Sequence, residues 1–399
     1  MVKEIYLDHS ATTYLDPRVK KEMDKYFCEE YGNPGSFNTI GLRAKEAVDD
    51  ARETIANILR ATKPEEIIFT SGGTESINLA IKGVMRANKE KGKHIITTTI
   101  EHHAVLDTCE YLERHEGYEI TYLEVDRYGL IDPKDVEKAI RKDTVLISIM
   151  YANNEIGTIQ PVAEIGAIAR KHKVLFHTDA CQAGGSEELD VNKLNVDLLT
   201  INGSKLYGPK GVGILYIKRG IKILPIIHGG GQERGLRSGT ENVPGIVGFA
   251  KALELTQKEK VKENKRLIGL RDKMIKDLTE KIPKTFLNGH PTKRLPNNVN
   301  VTILDIEGEA IMLYMNQYGI CASSGSACTS KTLDASHVIT AIGLPYEAAH
   351  GSIRFSLGKQ TTEKDIAEVI KVLPDIVKHL RSISPVNLDL KEVLDQVKK

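Results

Sequence analysis

A lysine set among turn-forming residues opens the chemistry of this chain: the apolar run Leu198-Leu199-Thr200-Ile201 leads into Asn202-Gly203-Ser204-Lys205-Leu206-Tyr207-Gly208-Pro209-Lys210-Gly211. An amine held at the end of a strand can bond to a carbonyl carbon, although most lysines are merely solvated. Its company decides the matter. Asp179 follows the apolar run Val174-Leu175-Phe176-His177, and a carboxylate in such a place needs a cationic or proton-bearing partner. Alone, Asp179 reads equally well as a helix cap or the partner of an arginine. After Ile67-Ile68-Phe69-Thr70 comes Ser71-Gly72-Gly73-Thr74-Glu75-Ser76, where glycine lets the backbone approach an anion, a helix start offers N–H groups and Thr74 adds a hydroxyl. An ordinary helix cap explains such a turn about as often. Amine, carboxylate and phosphate turn together fit one cofactor, pyridoxal phosphate, with its aldehyde at Lys205 and its ring nitrogen at Asp179.

These groups need a frame. Strand-like runs at 67–70, 94–97, 120–123, 145–149, 174–177, 197–200 and 213–217 alternate with helical stretches such as 132–141 and 163–171. This is the βαβ rhythm of a mostly parallel sheet, so the fold class is α/β. Ligands of such sheets sit beyond the carboxyl ends of the strands, and the same edge should carry Glu101-His102-His103 and Asn153-Asn154-Glu155. After Val243-Pro244-Gly245 the pattern predicts a long charged helix over about 246–281, then shorter elements broken by Pro283, Pro291 and Pro296. The expected division is a large domain over 15–262 and a smaller α+β domain over 263–399 joined by 1–14.

Composition limits the partners. With 55 Lys and Arg against 54 Asp and Glu in 399 residues, no basic footprint for nucleic acid is present. The lack of a long apolar segment predicts a cytoplasmic protein without membrane contact. Five scattered cysteines, Cys28, Cys109, Cys181, Cys321 and Cys328, predict reduced thiols, and no Cys-x-x-Cys pair suggests zinc. Four of them read as buried structural residues. Cys328 differs: it sits in a small polar run, Ser323 to Ser330, which predicts a loop from which a thiolate could reach into the cleft and swing out again.

Several longer stretches resemble cysteine desulfurases of the NifS and IscS type, within the fold-type I pyridoxal-phosphate enzymes. They are Tyr6-Leu7-Asp8-His9-Ser10-Ala11-Thr12-Thr13, Tyr31-Gly32-Asn33-Pro34, Ser71 to Ser76, Asn153-Asn154-Glu155-Ile156-Gly157 and Tyr207 to Gly211. His228 to Gly235, Arg237-Ser238-Gly239-Thr240, Ser323 to Cys328 and Ser352-Ile353-Arg354-Phe355-Ser356 continue the family's order.

The resemblance implies that Lys205 holds the cofactor aldehyde, Asp179 pairs with the ring nitrogen, and His102 stacks on the ring and moves protons. It implies that Gly73 and Thr74 hold the phosphate, with Asn202 and Ser204 flanking it, and that Thr240 reaches it from the other subunit of a homodimer. Asn154 and Gln182 would contact the substrate side and the ring oxygen, Arg354 would grip the carboxylate of L-cysteine, and Cys328 would take the sulfur as a persulfide. The acceptor would be a sulfur-carrier or iron–sulfur scaffold protein, serving cluster assembly or tRNA thiolation. No resident metal is implied, Cys328 being the residue that would meet a nascent cluster. Selenocysteine lyase, another class-V transaminase and a catalytically silent scaffold are the alternatives. The run Asn202-Gly203-Ser204-Lys205 departs from the family's usual Ser-Gly-His-Lys, and His103 and Asn38 also differ from common choices.

Overall fold

A computed structural model describes residues 4–324 and 335–397. Seven strands form the main sheet: β2 (Ile67–Thr70), β3 (His94–Thr98), β4 (Glu119–Leu123), β5 (Thr144–Ser148), β6 (Leu175–Asp179), β7 (Leu198–Asn202) and β8 (Gly213–Ile217), while β1 (Ile5–Tyr6) lies outside it. Their spatial order is β2-β8-β7-β6-β5-β3-β4. Only β8 runs against its neighbours, so β2, β3, β5, β6 and β7 all end at one edge. The expected strands are all present, with β6 and β7 extended to include Asp179 and Asn202. Those two side chains therefore belong to the last pleat of their strands rather than to the loops beyond.

The strand residues are β-branched and aliphatic on both faces, which suits a sheet covered by helices on each side. One core gathers Phe69, Ile96, Ile147, Phe176, Leu199 and Ile214, and another gathers Ile68, Ile95, Leu146, Leu198 and Leu215. A buried row crosses the sheet just below its carboxyl edge: His177 bonds Ser148 Oγ through Nδ1 at 2.9 Å and Thr200 Oγ1 through Nε2 at 3.0 Å. Burial pushes the His177 imidazole down to about 4, so it stays neutral at ordinary pH.

The long helix spans Val243–Lys281, a turn longer at its start than the sequence pattern predicts. Asn242 caps it by accepting from Gly245 N at 3.1 Å, with Pro244 in the first turn. At 1.5 Å per residue it runs about 58 Å. Its first part buries Ile246, Phe249 and Leu253 in the large core, and its last part buries Leu267, Leu270, Met274 and Leu278 in a separate core. That separate core covers the antiparallel sheet of β9 (Thr285–Leu287), β10 (Asn298–Ile303) and β12 (Ser352–Ser356), ordered β12-β10-β9. It also takes in Ile5 and Leu7, because β1 pairs with β11 (Ile320–Cys321). No helix among the described residues is long and apolar enough to cross a membrane.

Cys109 is buried as expected, but Cys28 is exposed and Cys181 and Cys321 are only partly buried. Cys28 ends the helix Pro17–Cys28, whose buried face is Val19 and Met23; its position falls past the part of the helix that meets the core.

Candidate active site

A cavity of about 260 Å³ opens at the carboxyl edge of the main sheet. Gly73, Thr74, His102, Asn154, Asp179, Gln182, Asn202, Lys205 and Arg354 all line it. Nine of the residues singled out by sequence thus meet in one place. Ser204 and Thr240 do not line it, and Cys328 lies outside the described residues.

The strand ends deliver their groups, three of them through a short local anchor. After β2, Gly72 has φ 151°, a conformation that favours glycine. The helix Gly73–Ala87 that follows has no side-chain cap, so the N–H groups of its first turn are available to an anion. A Cβ on Gly73 would come within 2.8 Å of Cys181 Sγ, so only glycine leaves this cradle open. After β3, His102 caps the helix His103–Glu116, its Nδ1 accepting from Ala104 N at 3.0 Å. An imidazole nitrogen that accepts cannot carry the proton, so this ring holds its N–H on Nε2. After β6, Asp179 Oδ1 accepts from Cys181 N at 2.9 Å. After β7, Asn202 Oδ1 accepts from Ser204 N at 3.3 Å, and Lys205 Nζ donates to Ala11 O.

The cavity's other side comes from β12. Arg354 is almost fully buried, so its charge needs a partner. It has an ion pair with Asp8 at 2.8 Å, and its Nη1 donates to Asn154 O at 3.1 Å. Asn298 and Asn300 of β10 both donate to Glu155 O, at 2.9 and 3.1 Å, fastening the loop after β5 to the small sheet. This stitch brings Asn154 and Arg354 together. Arg354 Nε is buried with no partner among the described residues. Ser323 pairs with Arg354 through Ser323 N to Arg354 O at 3.1 Å and Arg354 N to Ser323 O at 2.6 Å. His337 Nε2 bonds Glu101 O at 3.0 Å. The described residues on both flanks of 325–334 are therefore fixed around the cavity.

Three contributors were missed. Glu101 is fully buried beside His102; its Oε1 accepts from Thr98 Oγ1 at 2.8 Å and from Met150 N at 2.9 Å. Burial pushes its carboxyl up to about 8. Cys181, expected to be structural, lines the cavity; burial first, and the Asp179 carboxylate second, push its thiol well up. Its place two residues after Asp179 was the available signal. Asp8 gave none, since its partner lies 346 residues away.

The residues fit pyridoxal phosphate, with an uncapped helix start for the phosphate, a carboxylate for a ring N–H and an amine for an aldehyde, and the buried Arg354 N–H, without a partner among the described residues, suits the carboxylate of an amino acid. Among the described residues no group of three or more His, Cys, Asp or Glu is placed to hold a metal ion. Ser204 lies behind the lining and touches it through its backbone, its N–H donating to Asn202 Oδ1 at 3.3 Å while its carbonyl accepts from Thr13 N at 2.8 Å and Thr13 Oγ1 at 3.0 Å. Thr240 is exposed, on a stretch fastened by the Arg237–Glu75 pair at 2.9 Å and the Arg52–Glu233 pair at 2.7 Å.

Residues 5–369 match the family model described as Aminotransferase class-V. The cysteine desulfurase IscS of Methanosarcina thermophila is 56% identical over 383 residues, covering 96% of this chain and 94% of that one. The cysteine desulfurase IscS of Clostridium botulinum strain Hall is 51% identical over 387 residues, covering 96% and 97%. Among solved structures, a NifS-like protein superposes with a TM-score of 0.89 at 40% identity, over 95% of this chain and all of that one. The structure titled "SspA in complex with cysteine" gives 0.77 at 38% identity, over 88% and 98%.

Proposed function

The chain belongs to the class-V aminotransferase family, and from that premise we propose that it is a pyridoxal-phosphate-dependent cysteine desulfurase that leaves the sulfur of L-cysteine as a persulfide on Cys328. The observation that carries this reading is the single cavity joining Lys205, Asp179, His102 and the Gly73 turn to Arg354. Desulfuration rather than transamination rests on the relatives and on the thiol of Cys328 within Ser323 to Ser330.

Pyridoxal phosphate, when bound, supplies an aldehyde that joins to amines and a ring that draws electrons from the substrate's α-carbon. Gly73, Thr74 and Asn202 would hold its phosphate, Asp179 its ring nitrogen, Gln182 its ring oxygen and Lys205 its aldehyde. Asp179, its carboxylate held in place by the Cys181 N–H, would favour a proton on the ring nitrogen through its negative charge. Arg354 and Asn154 orient the amino acid by its carboxylate. Lys205 Nζ takes the α-proton, and the Nε2–H of His102 faces the same reaction space as a proton donor. The Cys328 thiolate attacks the substrate sulfur; the S–S bond forms as the C–S bond breaks, its electron pair staying on carbon and later taking a proton. The balance is L-cysteine plus the Cys328 thiol giving L-alanine plus the Cys328 persulfide.

The same reading covers the assembly. The protein acts as a cytoplasmic homodimer in which Thr240 of each chain reaches the partner's phosphate, and it passes sulfur to an acceptor or scaffold protein. The core over β9, β10 and β12, separate from the cores of the main sheet, supports 15–262 and 263–399 with 1–14 as its two units. Anaerobic incubation of the cofactor-loaded protein with L-cysteine and a thiol reductant tests the reaction. Alanine and sulfide should form in equal amounts; pyruvate with ammonia, or no sulfide, would refute it.

A further inference from the structure

The stretch Tyr6 to Thr13, so far only a family signature, runs between the two cores and meets the cavity wall at several points. Ser10 O accepts from Gln182 Nε2 at 3.0 Å, and Ala11 O accepts from Lys205 Nζ. Thr13 Oγ1 accepts from Tyr207 N at 2.8 Å. The strap is itself held to β12: His9 N donates to Ser356 O at 3.2 Å and Ser10 N to Ser356 Oγ at 2.8 Å. Tyr6 Oη donates to Asp8 O at 3.0 Å and to Thr12 O at 3.1 Å. The contacts of Ser10, Ala11 and Thr13 with Gln182, Lys205 and Tyr207 are made by backbone carbonyls or a hydroxyl. Asp8 brings a charge, its Oδ1 accepting from Arg354 Nη2 at 2.8 Å.

Arg354 has a planar fork of donors. Nη2 rests on Asp8 and Nη1 on Asn154 O, and those two fixed points on different elements set the plane and roll of the guanidinium. Nε, also buried, has no partner among the described residues, and a buried donor without an acceptor is costly until a ligand satisfies it. We infer that Asp8 is a positioning residue for recognition of the substrate's carboxylate: as the counter-ion of Arg354 it fixes the guanidinium so that Nε–H is left for the incoming α-carboxylate. This rests on the proposed amino-acid reaction and adds a residue to it. With Asp8 removed, the buried charge loses its carboxylate partner and one of its two anchors, so an incoming carboxylate meets a guanidinium that is no longer aimed. Asn at position 8 keeps an acceptor for Nη2 and drops the charge.

The test uses the cofactor-loaded parent, Asp8→Ala and Asp8→Asn, with two ligands followed by the change they cause in the cofactor's visible absorption. L-Alanine carries the carboxylate and no thiol; cysteamine carries the amine and thiol and no carboxylate. Asp8→Ala should weaken L-alanine by on the order of tenfold, the usual scale for one hydrogen bond to a charged group, and leave cysteamine nearly unchanged. It should raise KM for L-cysteine far more than it lowers kcat, and Asp8→Asn should fall between it and the parent. L-Alanine binding at parent affinity, or equal weakening of both ligands, would overturn the inference, the second by reducing Asp8 to a strap fastener. If Asp8→Ala fails to fold, the ratio of the two ligands' affinities in Asp8→Asn decides by the same criterion. A parent that binds both ligands yet makes no sulfide from L-cysteine would sink the desulfurase reading and leave this comparison standing.

Discussion

The two walls of the cavity are built in different ways. On the sheet side three groups are anchored by their own neighbourhood, Asp179 by Cys181 N, His102 by Ala104 N and Asn202 by Ser204 N, all two residues along the chain, while Lys205 and Gln182 reach the strap at Ala11 O and Ser10 O. On the β12 side Arg354 is anchored by Asp8 and by Asn154, 346 and 200 residues away. Local anchors form with the turn that carries them, so Asp179, His102 and Asn202 need only their strand ends in register. The Arg354 wall exists only when both cores have folded and the strap has closed between them. The first wall is where a cofactor would be held, and the second is where substrates must be told apart.

Removing the reacting amine should do most damage, and on the sheet side alone. Lys205→Ala should lower kcat by on the order of a thousandfold, within the usual span for a lost acid–base group, while the affinity for L-alanine, set at Arg354, changes far less. Steady-state kinetics beside a binding titration checks this. A variant that kept a tenth of the parent rate would remove Lys205 from the reaction and with it the central role of the sheet wall.

A mid-sized effect belongs to Glu101, which lies beneath the sheet wall yet is anchored both locally, at Thr98, and remotely, at Met150 N. Its folded carboxyl titrates near 8 against 4.5 for the free group. The folded protein therefore binds a proton that the unfolded chain has released between those values, and stability drains away as pH rises from 4.5 through 8. Glu101→Gln stays neutral and keeps an acceptor for Met150 N and Thr98. Its stability relative to the parent should improve across that window by on the order of 3 kcal/mol. Urea melts at pH 5 and pH 8.5 read the difference; a gap that stays the same at both would mean that Glu101 is ionised in the folded state.

The contrast between walls also explains what the sequence could reveal. The parallel strands were legible because their residues are mostly β-branched and aliphatic, and four of the groups they carry follow within a few residues of the apolar run. Asp179 and Lys205 stand out for that reason: a charged side chain there contradicts its surroundings. Cys181 was misjudged because a cysteine between Ala180 and Gln182 looks like any core thiol, and only its contact with Gly73 places it in the cavity wall. Asp8 and Arg354 each look ordinary in their own segments. Their pairing depends on β12 lying beside the strap, through the bridge of Asp8 with Ser356, a relation no local pattern encodes. The long helix starts at Val243 rather than Ile246 because Asn242 and Pro244 supply a start signal that its charged body hides.

The smallest expected effect concerns the departure at Ser204. A histidine there could add a positive charge near the phosphate, and charge-assisted hydrogen bonds are about twice as strong as neutral ones. With a difference on the order of 1 kcal/mol, Ser204→His should slow cofactor loss several-fold. Dialysis at a pH that protonates the new imidazole, followed by the fading of the visible band, measures it. Equal or faster loss would mean that the Gly73 turn, Asn202 and Thr240 already satisfy the phosphate, a result in keeping with Ser204 meeting the cavity wall through its backbone.

The account stands or falls on where the sulfur lands. The cofactor-loaded protein, given one equivalent of L-cysteine without reductant, alkylated at once and digested, can be read by mass spectrometry for a peptide heavier by one sulfur atom. Fragmentation of the peptide that carries both Cys321 and Cys328 should place the added sulfur on Cys328, and Cys28, Cys109, Cys181 and Cys321 should carry none. Sulfur on Cys181 instead, or alanine formed with no cysteine carrying sulfur, would contradict the persulfide role assigned to Cys328.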